Sequence, residues 1–147
     1  MEVEMKVNVP IESVESVLIS ALEGGSNYWY FMDEQEKSSE WLEQQIKQGK
    51  LKRNEEIHYK WLDGLFQGSP HPIKIYDVEE VYEYEQELEQ CEPIGTLTMD
   101  KIREGIKKAQ TEYPNFYNMH FPEYSNGDSI SSDLIFQLMV LGDVVYG

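Results

Sequence analysis

One segment near the end of the chain constrains the fold more than any other, because residues 131–141 are apolar on nearly every side of a helix. Its apolar members include Leu134, Ile135, Phe136, Leu138, Met139 and Leu141. A helix that is hydrophobic all round belongs inside a protein, since it has no face to offer to water. Ser131 or Ser132 is predicted to cap this helix, with Asp133 in its first turn and Gly142 at its end. The rest of the chain must therefore supply the layers that cover it.

Hydrophobic periodicity predicts those covering layers. Helices are predicted over 11–22, 38–48 and 98–113, and strands over 2–9, 56–62 and 72–78, with the last two strands paired as a hairpin. Residues 27–32 are predicted to be a short strand or an extended buried segment. Residues 114–128 are predicted to be an aromatic-rich loop, and Val144, Val145 and Tyr146 a final extended piece. No repeat and no linker interrupts the 147 residues. The sequence therefore predicts one α+β domain over 1–147, with about four helices on a small, mostly antiparallel sheet.

Capping residues set the expected ends of the helices. Gly24 or Gly25 is predicted to end the first helix in a left-handed conformation, and Ser38 or Ser39 to open the second. In the second helix, Trp41, Leu42, Gln45 and Ile46 are expected to face inward, and Gly49 to follow its end. Thr98 is predicted to open the third helix, which stops before Pro114.

The net charge of −16 limits the partners that this chain can have. Phosphate backbones and anionic lipid surfaces repel such a protein, so direct binding of nucleic acid or membrane is not expected. A partner protein with a basic surface is favoured. Solubility alone also accounts for a strongly acidic composition.

Much of the negative charge lies in residues 77–92, which contain no lysine or arginine. The eight carboxylates of this segment are Asp77, Glu79, Glu80, Glu83, Glu85, Glu87, Glu89 and Glu92. Their spacing fits either an edge strand or a helix, and the sequence leaves that choice open. Because burial of unpaired charges is costly, we expect one continuous, solvent-exposed acidic face.

No motif identifies a catalytic centre, a metal site or a cofactor. The three histidines share no ligand spacing, and the glycine-rich phosphate loops and the nucleophile elbow are missing. Cys91 lies between Glu89 and Glu92, whose charge should raise the pKa of its thiol. We therefore expect an inert or exposed thiol, no catalytic residue, no metal and no cofactor, and leave the question of enzyme activity open.

The aromatic run that follows Gly24-Gly25-Ser26 is the best candidate for a binding site. It comprises Asn27, Tyr28, Trp29, Tyr30 and Phe31, and the groups expected to join such a pocket are His120, Tyr124 and Tyr146. Tyr and Trp combine a large apolar body with a polar tip, as residues at binding sites often do. The alternative is that the run packs in the core.

Three blocks of the chain resemble a family of small acidic proteins encoded by tailed phages and prophages. They are Ala21-Leu22-Glu23-Gly24-Gly25-Ser26-Asn27-Tyr28-Trp29, then residues 97–106, then the ending at 133–147 with its Leu141-Gly142-Asp143-Val144-Val145-Tyr146-Gly147. The resemblance implies a phage accessory gene and no particular activity. The single cysteine, Cys91, fits a reducing cytosol, so the host cytoplasm is expected.

Charge and this setting together lead to three hypotheses. The first is an inhibitor that binds a host factor directed at nucleic acid, such as a restriction or CRISPR effector. The second is a protein that binds a small, nucleotide-like ligand through residues 27–31. The third is a small enzyme of phage nucleotide metabolism. The oligomeric state is left open.

Overall fold

The computed structural model describes residues 9–122 and 127–147, so the strand predicted over 2–9 falls almost entirely outside the described residues. Seven helices occur in the described part: α1 Ile11–Ser20, α2 Gln35–Lys47, α3 Lys60–Phe66, α4 Val78–Glu83, α5 Met99–Glu112, α6 Pro114–His120 and α7 Ser129–Leu141. The strands there are β1 Tyr30–Asp33, β2 Ile73–Asp77 and β3 Gly95–Leu97. The α+β class is confirmed, with seven described helices rather than about four.

The central position predicted for the last helix is confirmed. Nine residues of α7 are buried, and α1, α5, α6 and β3 pack around it. Its start differs from the expectation, because Asp128 is the N-cap and forms a reciprocal capping box with Ser131. Neither Ser131 nor Ser132 is the cap, so Asp133 lies beyond the first turn, where it is buried. Gly142 ends the helix with φ of 77°, as predicted.

Helix α5 lies directly against α7. Thr98 caps it as predicted, its side chain accepting a hydrogen bond from the Lys101 N–H. Gly105 permits the close approach, because a Cβ at this position would lie 2.6 Å from the Met139 Cα. The residue before Pro114 ends the helix, but Pro114 itself opens α6, so the loop predicted over 114–128 is in part helical.

The three strands form one antiparallel sheet in the order β1-β2-β3. Tyr30 is opposite Asp77 in the first pair, and Ile73 is opposite Leu97 in the second. The middle strand buries Ile73 and Ile75, so the sheet forms one wall of the main core. The strand predicted over 72–78 is therefore confirmed, while its expected hairpin partner at 56–62 is not a strand.

Residues 54–58 form a turn and α3 follows it, where a strand was predicted. The buried Asp63 carboxylate accepts hydrogen bonds from the Asn54 N–H at 2.8 Å and from Arg53 at 2.7 Å, which holds the turn closed.

Ser38 lies inside α2, not at its start, and donates to the Trp61 carbonyl at 2.7 Å. In α2, Leu42 is buried, whereas Ile46 is exposed, contrary to the expectation. Gly49 follows the helix with a positive φ, as predicted.

The Gly24–Gly25 pair has a different role from the one predicted. Neither residue has a positive φ, and residues Ala21–Gly25 continue α1 as a π-helical turn. A Cβ on Gly25 would lie 2.4 Å from the Ser129 carbonyl oxygen. Glycine is required here because this turn packs directly on the first turn of α7.

Truncation of a core side chain on α7 tests its central position. Leu138 is 2% exposed, and its replacement by alanine should lower the free energy of unfolding by about 3 kcal/mol, the usual cost of a core leucine. Urea denaturation followed by circular dichroism measures this change. A loss below about 1 kcal/mol would contradict a core position for α7.

Candidate binding site

The turn at residues 26–29 is attached to α7 by the carboxylate of Asp133. Oδ1 accepts hydrogen bonds from Ser26 Oγ and Trp29 Nε1, both at 2.7 Å. Oδ2 accepts from Tyr28 Oη at 2.5 Å and from Gln137 Nε2 at 3.2 Å. Four neutral donors thus surround one buried carboxylate. Because both oxygens are engaged, Asp133 holds the turn in place rather than acting as a free base.

Gln137, one turn further along α7, holds the C-terminal segment 143–147. Its Oε1 accepts the backbone N–H groups of Val145 and Tyr146, both at 2.8 Å. Its Nε2 donates to the Tyr146 carbonyl at 3.2 Å as well as to Asp133. One amide side chain therefore joins this segment to the same carboxylate that holds the turn.

Trp29 and Tyr30 belong to the core, as the alternative interpretation of the aromatic run expected. Trp29 is 1% exposed and stacks on Tyr146, with ring centroids 5.1 Å apart and an interplanar angle of 9°. Tyr30 meets Trp29 and Phe136 edge-on and donates its hydroxyl to the Leu22 carbonyl at 2.6 Å. Burial raises the pKa of Tyr30 to about 12.

Tyr28 differs from its neighbours because half of it, 50%, is exposed. It lines an open cavity of about 520 Å³ between the turn, the start of α7 and the C-terminal segment. We call this space the tail cavity; its walls include Tyr28, Ile130, Asp133, Leu134, Gln137 and Tyr146. Tyr28 and Tyr146 were expected to share a concave patch, and the structure brings them together there.

The hydroxyl of Tyr28 stays protonated over the whole physiological range. Burial and the adjacent Asp133 carboxylate raise the pKa of Tyr28 to about 12. The hydroxyl therefore donates a hydrogen bond to Asp133. Its oxygen accepts a long hydrogen bond from Gln137 Nε2 at 3.4 Å and has a second lone pair.

Two other predicted site residues lie elsewhere. Asn27 is exposed within the turn and does not line the tail cavity. His120 is buried behind the start of α7, where its Nε2 is 2.6 Å from Ser131 Oγ. Burial lowers the pKa of His120, and the charge of Asp128 opposes that change. Tyr124 lies outside the described residues.

The acidic segment 77–92 adopts mainly helix and turn, which resolves the choice between strand and helix. Asp77 ends β2 and caps α4, its carboxylate accepting from the Glu79 and Glu80 N–H groups. Six of the eight carboxylate residues are exposed, while Asp77 and Glu80 are half-buried. Within residues 9–122 and 127–147, no Lys or Arg nitrogen lies within 4 Å of any of them. We call these eight residues the acidic surface; the exposure expected for it is confirmed.

Two tyrosines accompany the acidic surface. Tyr82 is 68% exposed and Tyr84 is 39% exposed. Tyr84 and four of the carboxylates line a shallow depression of about 370 Å³. Tyr146 joins this depression to the tail cavity, since its hydroxyl donates to Asp77 Oδ2 at 3.0 Å.

Cys91 is buried beneath the acidic surface in a small cluster with Tyr76 and Val81. Burial, followed by the charges of Glu80, Glu89 and Glu83, raises the pKa of its thiol, in the direction that the sequence predicted. Among the described residues, no group of three His, Cys, Asp or Glu side chains is placed to hold a metal ion.

Sequence reasoning missed three residues that build the site: Ser26, Asp133 and Gln137. A signal for two of them was present, because Asp133 and Gln137 are polar residues at i and i+4 on a helix whose other residues after Ser132 are all apolar. Two such residues share one face. A buried helix that keeps two polar groups on one face requires polar partners for them.

Comparison with models of protein families, with curated proteins and with solved structures finds no match to this chain. Among the residues that the structure describes, no helix has the length and apolarity needed to cross a bilayer.

Proposed function

We propose that this protein acts by binding a partner protein with a basic surface through its acidic surface. The observation that carries the proposal is the set of eight exposed or half-exposed carboxylates with no lysine or arginine beside them in the described part of the chain. Exposed charges that lack a counter-charge nearby interact most favourably with an oppositely charged partner. Tyr82 and Tyr84 add ring faces on which Lys or Arg side chains can rest.

The class of partner follows from charge complementarity. Proteins that bind nucleic acid present clusters of lysine and arginine to the phosphate backbone. An acidic protein that covers such a cluster prevents the nucleic acid from binding. Together with the resemblance to a phage-encoded family, this supports an inhibitor of a host restriction or CRISPR effector, working in the host cytoplasm.

The test removes charge from the acidic surface and, separately, from other parts of the molecule. Glu79, Glu83, Glu85 and Glu87 are replaced by glutamine in one variant, and the exposed Glu12, Glu36, Glu40 and Glu55 in the control. Each variant loses four of the 16 net negative charges. Partners are captured from bacterial lysate with the wild-type protein, identified by mass spectrometry, purified and titrated against all three forms.

The acidic-surface variant should bind the purified partner about tenfold or more weakly, since four screened ion pairs are lost. The control should stay within about twofold of the wild type. Affinity should also fall as salt is raised. Equal weakening in both variants would show that net charge, and not the acidic surface, determines the affinity. No weakening in either variant would overturn the proposal.

A small-ligand site is a second candidate, favoured by the tail cavity, whose volume of about 520 Å³ falls in the range of ligand pockets. The only charged side chain in its described lining is that of Asp133, which opposes a phosphate-bearing ligand such as a nucleotide. Native mass spectrometry of the purified protein tests for a retained small molecule. The Tyr28 hydroxyl lies against Asp133, but four donors already engage that carboxylate, so this pair gives the enzyme hypothesis no support.

A further inference from the structure

The tail cavity differs from the acidic surface, because its lining is mostly apolar and contains one charged side chain among the described residues. Of the described residues that line it, Asp133 alone has a charged side chain, and its hydrogen-bond donors are all neutral. Ile130, Leu134 and Val144 provide apolar walls, and Ile130 is 73% exposed. The cavity thus combines an apolar entrance with a negative floor, a combination suited to a long side chain that carries a cation.

The tail cavity is also continuous with the acidic surface. Tyr146 lines the cavity, and its hydroxyl contacts Asp77 in the acidic depression at 3.0 Å. A partner that covers the acidic surface therefore borders the cavity. Any side chain that the partner places there contributes to the same interface.

We propose that the tail cavity seats an arginine side chain of the basic partner. The methylene stem lies along Ile130 and Leu134, and the planar guanidinium rests against the exposed ring of Tyr28. One guanidinium N–H donates to the second lone pair of Tyr28 Oη, whose O–H donates to Asp133 and whose first lone pair accepts the long bond from Gln137 at 3.4 Å. The charge of Asp133 beneath the tyrosine stabilises the cation from a distance. This inference rests on the proposed function, of which it names one specific contact.

An arginine side chain suits the tail cavity better than an aliphatic side chain, an anion or a lysine does. An aliphatic side chain would leave the negative floor without a counter-charge. An anion would be repelled by Asp133. A lysine ammonium lacks the planar face that stacks on a tyrosine ring.

The test uses a single amino acid as the probe, so it does not depend on knowing the partner. N-acetyl-arginine methylamide is titrated into the labelled protein, and NMR chemical shifts of the side chains are followed. N-acetyl-citrulline methylamide, which has nearly the same shape without the charge, is the matched probe. Saturable shifts are expected at the Ile130 and Leu134 methyls and at the Trp29 indole N–H. Citrulline should bind at least about fivefold more weakly.

Two exposed isoleucines provide matched protein variants. Ile130→Lys places a cation at the entrance of the cavity, whereas Ile46→Lys makes the same change on α2, outside the cavity lining. The first should weaken arginine binding by about fivefold or more, and the second should leave it unchanged. Equal binding of arginine and citrulline, shifts confined to residues 77–92, or no effect of Ile130→Lys would each overturn the inference.

The outcomes separate this inference from the proposed function. A captured partner that is lost by the acidic-surface variant but bound normally by Ile130→Lys would refute the arginine seat and leave the function intact. Arginine binding at the cavity in a protein whose acidic-surface variant keeps full partner affinity would refute the function alone.

Discussion

Replacing Asp133 with asparagine should lower the free energy of unfolding by about 4 kcal/mol, since hydrogen bonds to a charged group contribute about 1.5–3 kcal/mol each. Each carboxylate oxygen accepts two donors. An asparagine amide keeps one oxygen and presents an NH₂ group where the other was. In either orientation, two of the four donors then face another donor. Urea denaturation of the wild type and the variant measures the difference.

Asp143→Asn is the matched control. Asp143 is exposed, and its Oδ1 accepts only the neighbouring Val144 N–H at 2.9 Å among the described residues, a bond that asparagine can keep. Its unfolding free energy should stay within about 0.5 kcal/mol of the wild type. If Asp133→Asn behaved like this control, the carboxylate would not be the attachment point of the turn.

Trp29→Ala should lower the free energy of unfolding by about 5 kcal/mol, the upper end of the range for truncating a buried tryptophan. Trp29 is fully buried, and the change removes its stack with Tyr146 as well as its bond to Asp133. Thermal and urea melts followed by far-ultraviolet circular dichroism measure the loss without relying on tryptophan fluorescence.

Two comparison variants make this result specific. Trp41→Ala removes a half-buried tryptophan on α2 and should cost about 1–2 kcal/mol, in proportion to the area it buries. Tyr28→Ala removes a half-exposed ring and one hydrogen bond, so it should cost less than half as much as Trp29→Ala. If Tyr28→Ala were as destabilising as Trp29→Ala, Tyr28 would be a core residue and the tail cavity would lose its aromatic wall.

The sequence predicted the fold well where a single periodicity dominates a segment. The apolar α7, the strand at 72–78 and the Thr98 cap of α5 were all predicted, because each is determined by local residues. Residues 56–62 were wrongly predicted as a strand. Ile57, Tyr59 and Trp61 alternate, but Leu62, Leu65 and Phe66 continue at helical spacing. The turn before α3 depends on Asp63 contacting Arg53 and Asn54, and alternation does not report such a contact.

The site was predicted in part. Aromatic composition identified Tyr28, Trp29 and Tyr146, but it did not separate the half-exposed Tyr28 from the buried Trp29. Trp29 stacks on Tyr146, and Tyr28 lines the same cavity as Tyr146. Placing the cap at Ser131 or Ser132 put Asp133 in the first turn. The true cap at Asp128 starts the helix earlier, so Asp133 lies beyond the first turn, where it contacts Ser26. His120 was misplaced because only the packing of α6 decides which side of α7 it meets.

The attachment of residues 26–29 to Asp133 also shapes how the chain must fold. Its hydrogen bonds join residues that are 104 to 107 positions apart. Closing so long a loop costs entropy before any contact compensates, and such non-local contacts slow the search for the native state. Local helices need no such long-range closure, so we expect them to form before residues 26–29 reach Asp133. We therefore expect the surface around Tyr28 and Tyr146 to be among the last parts of the molecule to take shape.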